Sequence, residues 1–224
     1  MRQAPEIPWI EAAETPWGVR VLDVRTVTQQ MIATSADPEC AANALSYERE
    51  DGSAFASAEP LVPRVIGAMI PYRILTPARA TPARTGGPGE EALGDGALFR
   101  PHVMEHKWAI FHRQGRIFFV RSWTRKLHVI AELSSGEGCV EVNRIRGAFV
   151  DDEEHPLFTT MVVDFLLRSH ALGLVYPAPL PEDMEQSPVE AAFWCFHMFG
   201  NLALCATHEI IPISMPVQVL KILT

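Results

Sequence analysis

HKWAIFHRQGRIFFVRSWTRKLHVIAEL, residues 106–133, contains three apolar runs separated by Gln114-Gly115 and Arg125-Lys126. Each run is long enough for a strand and is rich in aromatic and β-branched residues, which favour strands. The short polar breaks between the runs are typical of hairpin turns. The stretch therefore predicts an antiparallel meander of three strands. CVEVNRI, which begins at Cys139, predicts a fourth strand after a turn at 136–138.

A two-residue turn at Gln114-Gly115 fixes the register of the first hairpin. In this register Arg113 pairs with Arg116, Phe111 with Phe118, and Trp108 with Arg121. One face is then predicted to be core and carries Ala109, Phe111, Phe118, Val120, Val129 and Ala131. The other face is mixed and carries Trp108, Ile110, His112, Phe119, Arg121, Trp123, His128 and Glu132.

Two helices are predicted after the strands. The segment 154–172 has an apolar stripe at helical spacing and stops at Gly173. The segment 187–200 begins with a capping box, Ser187 and Glu190, and stops at Gly200. Strands grouped together with helices after them indicate an α+β fold. We expect an antiparallel β-meander sheet of four to six strands, with helices packed on one face and a closing strand near 209–213.

The N-terminal half predicts three further elements. The segment 19–27 suits a strand, and a helix capped by Ser35 or Asp37 follows it. The apolar segment 64–75 contains Pro71, which lacks a backbone donor and therefore favours an edge strand. Residues 77–97 have almost no large apolar side chains and predict a flexible insertion. The chain, residues 1–224, is interpreted as a single α+β domain.

Composition and charge exclude several classes of protein. The four cysteines have no C-x-x-C spacing, which disfavours zinc knuckles and disulfide frameworks. Neither a signal peptide nor a membrane helix is indicated, so we expect a cytoplasmic protein with no membrane partner. The net charge of −8 makes nucleic acid an unfavourable partner, although residues 99–146 carry 9 basic and 4 acidic groups. Sixteen arginines against three lysines suggest a bacterial source.

The hairpin KWAIF, residues 107–111, followed by RIFFVRSWT, residues 116–124, resembles a short pattern in uncharacterised bacterial proteins. In that pattern a lysine-tryptophan strand leads to an aromatic strand that ends in Arg-Ser-Trp-Thr. The resemblance covers this hairpin alone. Those proteins usually have Gly after the Thr, where this chain has Arg125. The resemblance implies no activity and assigns no functional residue.

His102, Glu105 and His106 form the motif H-x-x-E-H. In inverted zinc peptidases two such histidines, one helical turn apart, bind zinc, and the Glu activates water. Pro101 and a strand that begins near Lys107 disfavour the helix that this chemistry needs. The motif makes a small metal-dependent hydrolase, with its metal at His102 and His106, the alternative function of this chain.

Cys40 is a weaker candidate, because a thiol near a helix N-terminus tends towards the thiolate. Cys195 and Cys205 lie in apolar sequence and are predicted to be core residues. No P-loop, dinucleotide fingerprint or nucleophile elbow is present. The catalytic residues are therefore unknown, and the sequence leaves open whether the protein is an enzyme.

The mixed sheet face gives the ligand-binding candidates, which are Trp108, Arg121, Trp123 and His128. Aromatic rings would stack a planar ligand, and Arg121 would hold an anion. Alternatively, the two predicted helices cover this face and an acidic residue pairs with Arg121. The sequence favours the covered face, because both helices need a sheet to pack against. The best functional prediction is a non-enzymatic binding or regulatory module without a cofactor, whose partner is an unknown protein or a small anionic ligand.

Overall fold

The computed structural model describes residues 5–72, 93–136 and 139–211. The helices are α1 (Arg25–Thr28), α2 (Pro38–Ala44), α3 (Pro156–Leu166) and α4 (Pro188–Phe199). The strands are β1 (Trp9–Ile10), β2 (Val21–Asp23), β3 (Val65–Tyr72), β4 (Gly96–Phe99), β5 (Trp108–Arg113), β6 (Arg116–Arg121), β7 (Leu127–Gly136), β8 (Cys139–Gly147), β9 (Ala178–Pro179) and β10 (Cys205–Thr207). The fold is α+β, with two sheets.

The larger sheet has six antiparallel strands in the order β3-β8-β7-β6-β5-β4 and contains the predicted meander. All three predicted pairs of the β5–β6 hairpin are confirmed. Gln114 and Gly115 have φ angles of 49° and 71°, as a two-residue hairpin turn with two left-handed residues requires. The strand that contains Pro71 lies at the sheet edge, as predicted. Most of the predicted insertion at 77–97 lies outside the described residues, and its last two residues, 96–97, belong to β4.

The predicted faces are correct for β5 and β6 but wrong for part of β7. Phe118 pairs with Ile130, which packs in the same hydrophobic cluster, whereas Val129 packs on the Trp108 face. The connection at 122–126 and a bulge opposite Val120 set this register, and neither follows from the apolar pattern. Three predicted positions are therefore exchanged between the two faces: Val129, Ala131 and Glu132.

The smaller sheet was not predicted. Its order is β1-β2-β10-β9, and β9 and β10 run parallel. The predicted strand at 19–27 stops at Asp23, because the Asp23 carboxylate accepts a hydrogen bond from the Arg25 amide and α1 begins there. Residues 209–211 of the predicted closing strand are not in a strand, and 212–213 lie outside the described residues. The strand nearest to that position is β10, which belongs to the smaller sheet and is followed by a turn in which the Glu209 amide donates to Thr207 Oγ1.

The three longest helices begin close to their predicted positions. In α2 the Asp37 side chain caps the amide of Glu39. The predicted helix at 154–172 is α3 followed by a π-helical turn, Leu167–Ala171. α4 has its predicted bounds, although the Ser187 side chain makes no capping bond. In the described parts of the chain, no helix is long and apolar enough to cross a membrane.

Both faces of the six-stranded sheet are buried. On the Trp108 face, one large hydrophobic cluster joins side chains of both sheets with those of α3 and α4. On the Phe118 face, a smaller cluster includes Tyr47 and Phe55 from the segment between α2 and β3. The helices α3 and α4 therefore pack on one face of the sheet, as predicted, while the segment between α2 and β3 covers the other.

Truncation of Phe118 tests the smaller cluster. The Phe118 side chain is 1% exposed, so Phe118→Ala should lower the free energy of unfolding by about 3–5 kcal/mol. Ile32→Ala is a matched control, because Ile32 is 78% exposed and its loss should change stability by less than about 0.5 kcal/mol. Urea denaturation of both variants measures the difference. Equal, small losses would show that the Phe118 face is not a core.

Candidate functional site

Two of the predicted ligand-binding residues contact the C-terminal end of α4. Trp108 is fully buried, and its Nε1 donates to the carbonyl oxygen of Met198 at 2.7 Å. The Arg121 guanidinium donates to the same carbonyl at 2.9 Å and to that of His197 at 2.7 Å. The last carbonyls of a helix lack partners within the helix and carry partial negative charge, so a cation is favourable there.

The prediction that Arg121 pairs with an acidic residue is wrong. Arg121 makes no ion pair with any residue that the structure describes, and its polar contacts are the two helix carbonyls. Its guanidinium also lies 5.0 Å from the centre of the Trp108 ring. Burial without a carboxylate lowers the pKa of Arg121 to about 10. The arginine stays charged at neutral pH and stabilises the end of α4.

The end of β6 holds the loop that precedes β5. Ser122 Oγ donates to the carbonyl of His106 at 2.7 Å, and the Ser122 amide donates to the carbonyl of Lys107 at 2.9 Å. Trp123 Nε1 donates to the carbonyl of Met104 at 2.9 Å. The Arg-Ser-Trp sequence thus contacts two parts of the fold. Arg121 donates to carbonyls of α4, and the next two residues donate to carbonyls of the loop at 102–107.

Gly200 brings the same loop against the end of α4. Its φ angle is 75°, a left-handed conformation that side chains disfavour. A Cβ atom at this position would overlap the carbonyl oxygen of Glu105. The predicted helix stop at Gly200 therefore has a second cause, which is the close approach of the loop backbone.

Lys107 lies where the loop, the sheet and α4 meet. The residue is 5% exposed, and its Nζ lies 4.0 Å from the centre of the Trp123 ring and 5.2 Å from that of Phe196. The amine donates to the carbonyl of Met104 at 3.3 Å, and it has no ion pair within the described ranges. Burial lowers the pKa of Lys107 to about 8. The positive charge of Arg121 adds to this effect, and the carboxylate of Glu105 opposes it.

Two histidines adjoin these cations. Exposed His197 has a lowered pKa through burial of part of its ring and through Arg121 and Lys107. The ring of His128 stands edge-on to Trp108, with its Nδ1 3.1 Å from the carbonyl of Phe149. Burial, followed by the charge of Arg121, lowers the pKa of His128 to about 4. The predicted ligand residue His128 is thus a neutral ring that packs beside Trp108.

We call Lys107, Trp108, Arg121, Trp123 and His197 the α4-end cluster. Three of its members, Trp108, Arg121 and Trp123, were predicted from the sequence as a ligand platform. Lys107 and His197 were missed, because a single lysine at a strand start and a single histidine in a helix carry no distinctive pattern. The scarcity of lysine, three in the whole chain, was the one available signal.

The H-x-x-E-H motif forms a turn rather than a helix. His102 and His106 do lie together, with ring centres 6.2 Å apart, and the His102 amide donates to His106 Nδ1 at 3.1 Å. Glu105 points to another segment, where its carboxylate accepts from the Ala33 amide at 2.9 Å. Across residues 5–72, 93–136 and 139–211, no three His, Cys, Asp or Glu side chains are grouped to hold a metal ion.

The cysteines show little sign of nucleophilic chemistry. Cys195 and Cys205 are buried, as predicted, and burial raises the pKa of Cys195 strongly and that of Cys205 to about 12. Cys40 is partly exposed, and its thiol lies 3.5 Å from a carboxylate oxygen of Asp37.

No protein-family model matches this chain, and neither a curated protein nor a solved structure is detectably similar to it. The function is therefore inferred from the chemistry of the α4-end cluster.

The buried Lys107 amine should make stability depend on alkaline pH. The pKa of Lys107 is about 8 in the folded protein, below its ordinary value of 10.5. Between these values the unfolded chain binds more protons, so this lysine makes stability rise as pH increases through that range. Relative to Lys107→Met, the native protein should gain on the order of 1–2 kcal/mol, a value reduced for residual solvent contact.

Urea denaturation at pH 7.5 and pH 10.5 measures this gain, and the comparison with the variant removes the contribution of other titrating groups. Lys126→Met serves as the control, because Lys126 is exposed. Parallel pH profiles for the native protein and Lys107→Met would show that the Lys107 amine is not perturbed by burial.

Proposed function

We propose that this protein is a non-enzymatic binding module whose α4-end cluster binds a small anionic ligand. The supporting observation is a group of cationic side chains that form no ion pair among the described residues. Besides burial, the charge of Arg121 lowers the pKa of Lys107, and the carboxylate of Glu105, which lies beyond ion-pair distance, partly offsets this effect. Eight arginines elsewhere do pair with carboxylates: Arg20, Arg25, Arg64, Arg113, Arg125, Arg144, Arg146 and Arg168.

The donor geometry of Arg121 favours a carboxylate or a phosphate. Its planar guanidinium has five N–H groups, and the contacts with α4 use two of them. Arg121 and Trp123 are partly exposed and His197 is exposed, so a ligand has access from the surface. The partly exposed Trp123 ring offers an apolar surface beside the charge. An anion with a small apolar body fits this combination.

Binding of an anion should be linked to protons. A negative charge beside Lys107 would offset the unfavourable burial of its ammonium group and raise its pKa. By linkage, the ligand binds more tightly when Lys107 is protonated, so affinity should fall as pH rises above about 8. A protein that bound an anion through Arg121 alone would show no such dependence.

The alternative, a metal-dependent hydrolase at His102 and His106, stays a separate proposal. It uses the loop next to the α4-end cluster rather than the cluster itself. The two differ in one readily measured property, because the hydrolase requires stoichiometric zinc that is lost in His102→Ala and His106→Ala. The binding module requires neither histidine.

Tryptophan fluorescence tests the binding proposal, with lactate, succinate and inorganic phosphate as probes. At least one probe should change the emission in a saturable manner at pH 7. Arg121→Lys keeps the charge but loses the planar fork, so it should weaken binding about tenfold or more, since a hydrogen bond to a charged group contributes about 1.5–3 kcal/mol. Arg116→Lys, on the exposed end of the same strand, is the matched control.

Equal affinity in Arg121→Lys and the native protein would contradict the site, and the absence of saturable binding for all three probes would contradict the function. Circular dichroism of each variant confirms that the fold is retained, so a lost signal is attributable to the site.

A further inference from the structure

Among the described residues, the segment that precedes β3 is bonded to the rest of the chain only through side chains. No backbone-to-backbone hydrogen bond links residues 32–60 to any other described part of the protein. The bonds of this kind that the segment makes lie within α2 and its own short turns. We call residues 32–60 the strap. The strap can therefore leave the sheet without breaking the pairing of any strand, which makes it a unit able to open locally.

The apolar anchor of the strap is small. Its large side chains in the hydrophobic cluster on the Phe118 face are those of Tyr47 and Phe55. Their ring centres lie 6.1 Å and 5.8 Å from that of Phe111. The opposite face of the sheet packs against side chains of the smaller sheet, α3 and α4. Closure of the strap thus depends on polar contacts in addition to apolar packing.

Arg125 makes several of these polar contacts and adopts a strained backbone conformation. Its guanidinium donates to the Glu50 carboxylate and to Ser46 Oγ, and it lies 4.8 Å from the centre of the Tyr47 ring. Its φ angle of 55° is in the left-handed region, which residues with a Cβ atom disfavour. The contacts with the strap offset this strain. The conformation of the loop at 122–125 therefore depends on a closed strap.

The same loop belongs to the α4-end cluster. On the strap side, the Ser122 carbonyl accepts a hydrogen bond from Tyr47 Oη at 3.1 Å, and the Trp123 carbonyl accepts one from Asn43 Nδ2 at 3.1 Å. On the other side, the side chains of Ser122 and Trp123 donate to the loop before β5, while neighbouring Arg121 donates to α4. The strap and the α4-end cluster are thus joined through three consecutive residues.

We propose that the strap opens and closes as a unit, and that its closure, through Arg125, holds Arg121 and Trp123 in the geometry that binds the anion. This inference rests on the proposed function, because it names the regulation of the same site. A ligand that requires the closed strap also stabilises the closed strap. Ligand binding and closure therefore favour each other by the same factor.

Amide hydrogen exchange of the native full-length protein, followed by NMR, tests whether the strap opens. The amides of Glu50 and Phe55 are bonded within the strap, to the carbonyls of Tyr47 and Gly52. We expect both amides to report one opening equilibrium and to exchange at least about tenfold faster than the paired amides of β6 and β7. Local opening needs less free energy than the global unfolding that exposes central strands.

Ligand-dependent protection tests the coupling between the strap and the α4-end cluster. Lactate, succinate and inorganic phosphate are each added at about ten times the Kd measured by tryptophan fluorescence. A ligand that binds only the closed form lowers the open fraction by a factor of 1 + [L]/Kd, so the strap amides should exchange about tenfold more slowly. A strap with a purely structural role would exchange at the same rate with and without ligand.

Arg125→Gly tests the role of the arginine. Glycine adopts the left-handed conformation without strain, so this variant removes the contacts with the strap and preserves the loop. The strap amides should exchange about three- to tenfold faster, since a partly exposed ion pair and a cation–π contact are lost. Gln114→Gly is the matched control. Gln114 also has a positive φ angle, 49°, but its amide bonds Asp95 rather than the strap, so the exchange should not change.

Each result separates this inference from the proposed function. Strap amides that exchange as slowly as those of β6 and β7 overturn the opening, and equal exchange in Arg125→Gly and Gln114→Gly overturns the role of Arg125. If a probe binds without slowing the exchange, the coupling is wrong and the anion site stands. If all three probes fail to bind, the proposed function and the coupling fall together. The comparisons within the native protein hold even where a variant fails to fold.

Discussion

The carbonyl groups at the end of α4 provide the contact on which the rest of the site depends. The Met198 carbonyl accepts two hydrogen bonds from the sheet, one from Trp108 and one from Arg121, and the His197 carbonyl accepts a third. A buried helix end needs such donors, because its last carbonyls have no partners within the helix. In this protein the sheet supplies them, and α4 is thereby held over the Trp108 face.

The use of helix carbonyls as the partners of Arg121 has an electrostatic consequence. A carboxylate partner would have neutralised Arg121, but neutral carbonyls satisfy its N–H groups while leaving its positive charge in place. The nearby ammonium group of Lys107 is held in the same way, against a carbonyl and two aromatic rings. The structure thus retains positive charge beside partly exposed Trp123, and this charge is the physical basis of the anion-binding proposal.

Local patterns in the sequence predicted much of the fold. The Gln114-Gly115 turn fixed the β5–β6 register, and Pro188 and Gly200 marked the bounds of α4. Two features were not predicted, for different reasons. The face of β7 follows from an irregular local connection and a bulge, which the apolar pattern does not encode. The second sheet pairs β2 with β10, which lie far apart in sequence.

The site was predicted only in part, because some of its residues meet only through packing between distant segments. Aromatic residues and an arginine that alternate along strands identify one face, so Trp108 and Arg121 were found together. The same alternation of aromatic residues and arginine is expected for a face that binds a ligand and for a face that is covered by a helix. The sequence pattern alone therefore does not distinguish the two. Lys107 and His197 become neighbours only through the packing of α4, which no short-range pattern encodes.

The unfolding free energy of Arg121→Met tests most directly whether the sheet holds the end of α4 through this arginine. Methionine keeps much of the apolar length of the side chain but donates no hydrogen bond. We predict a loss of about 2–3 kcal/mol by urea denaturation, as expected when charged hydrogen bonds to helix carbonyls are removed. Arg116→Met, at the exposed start of the same strand, should change stability by less than about 0.5 kcal/mol. Equal stabilities for the native protein and Arg121→Met would contradict the account.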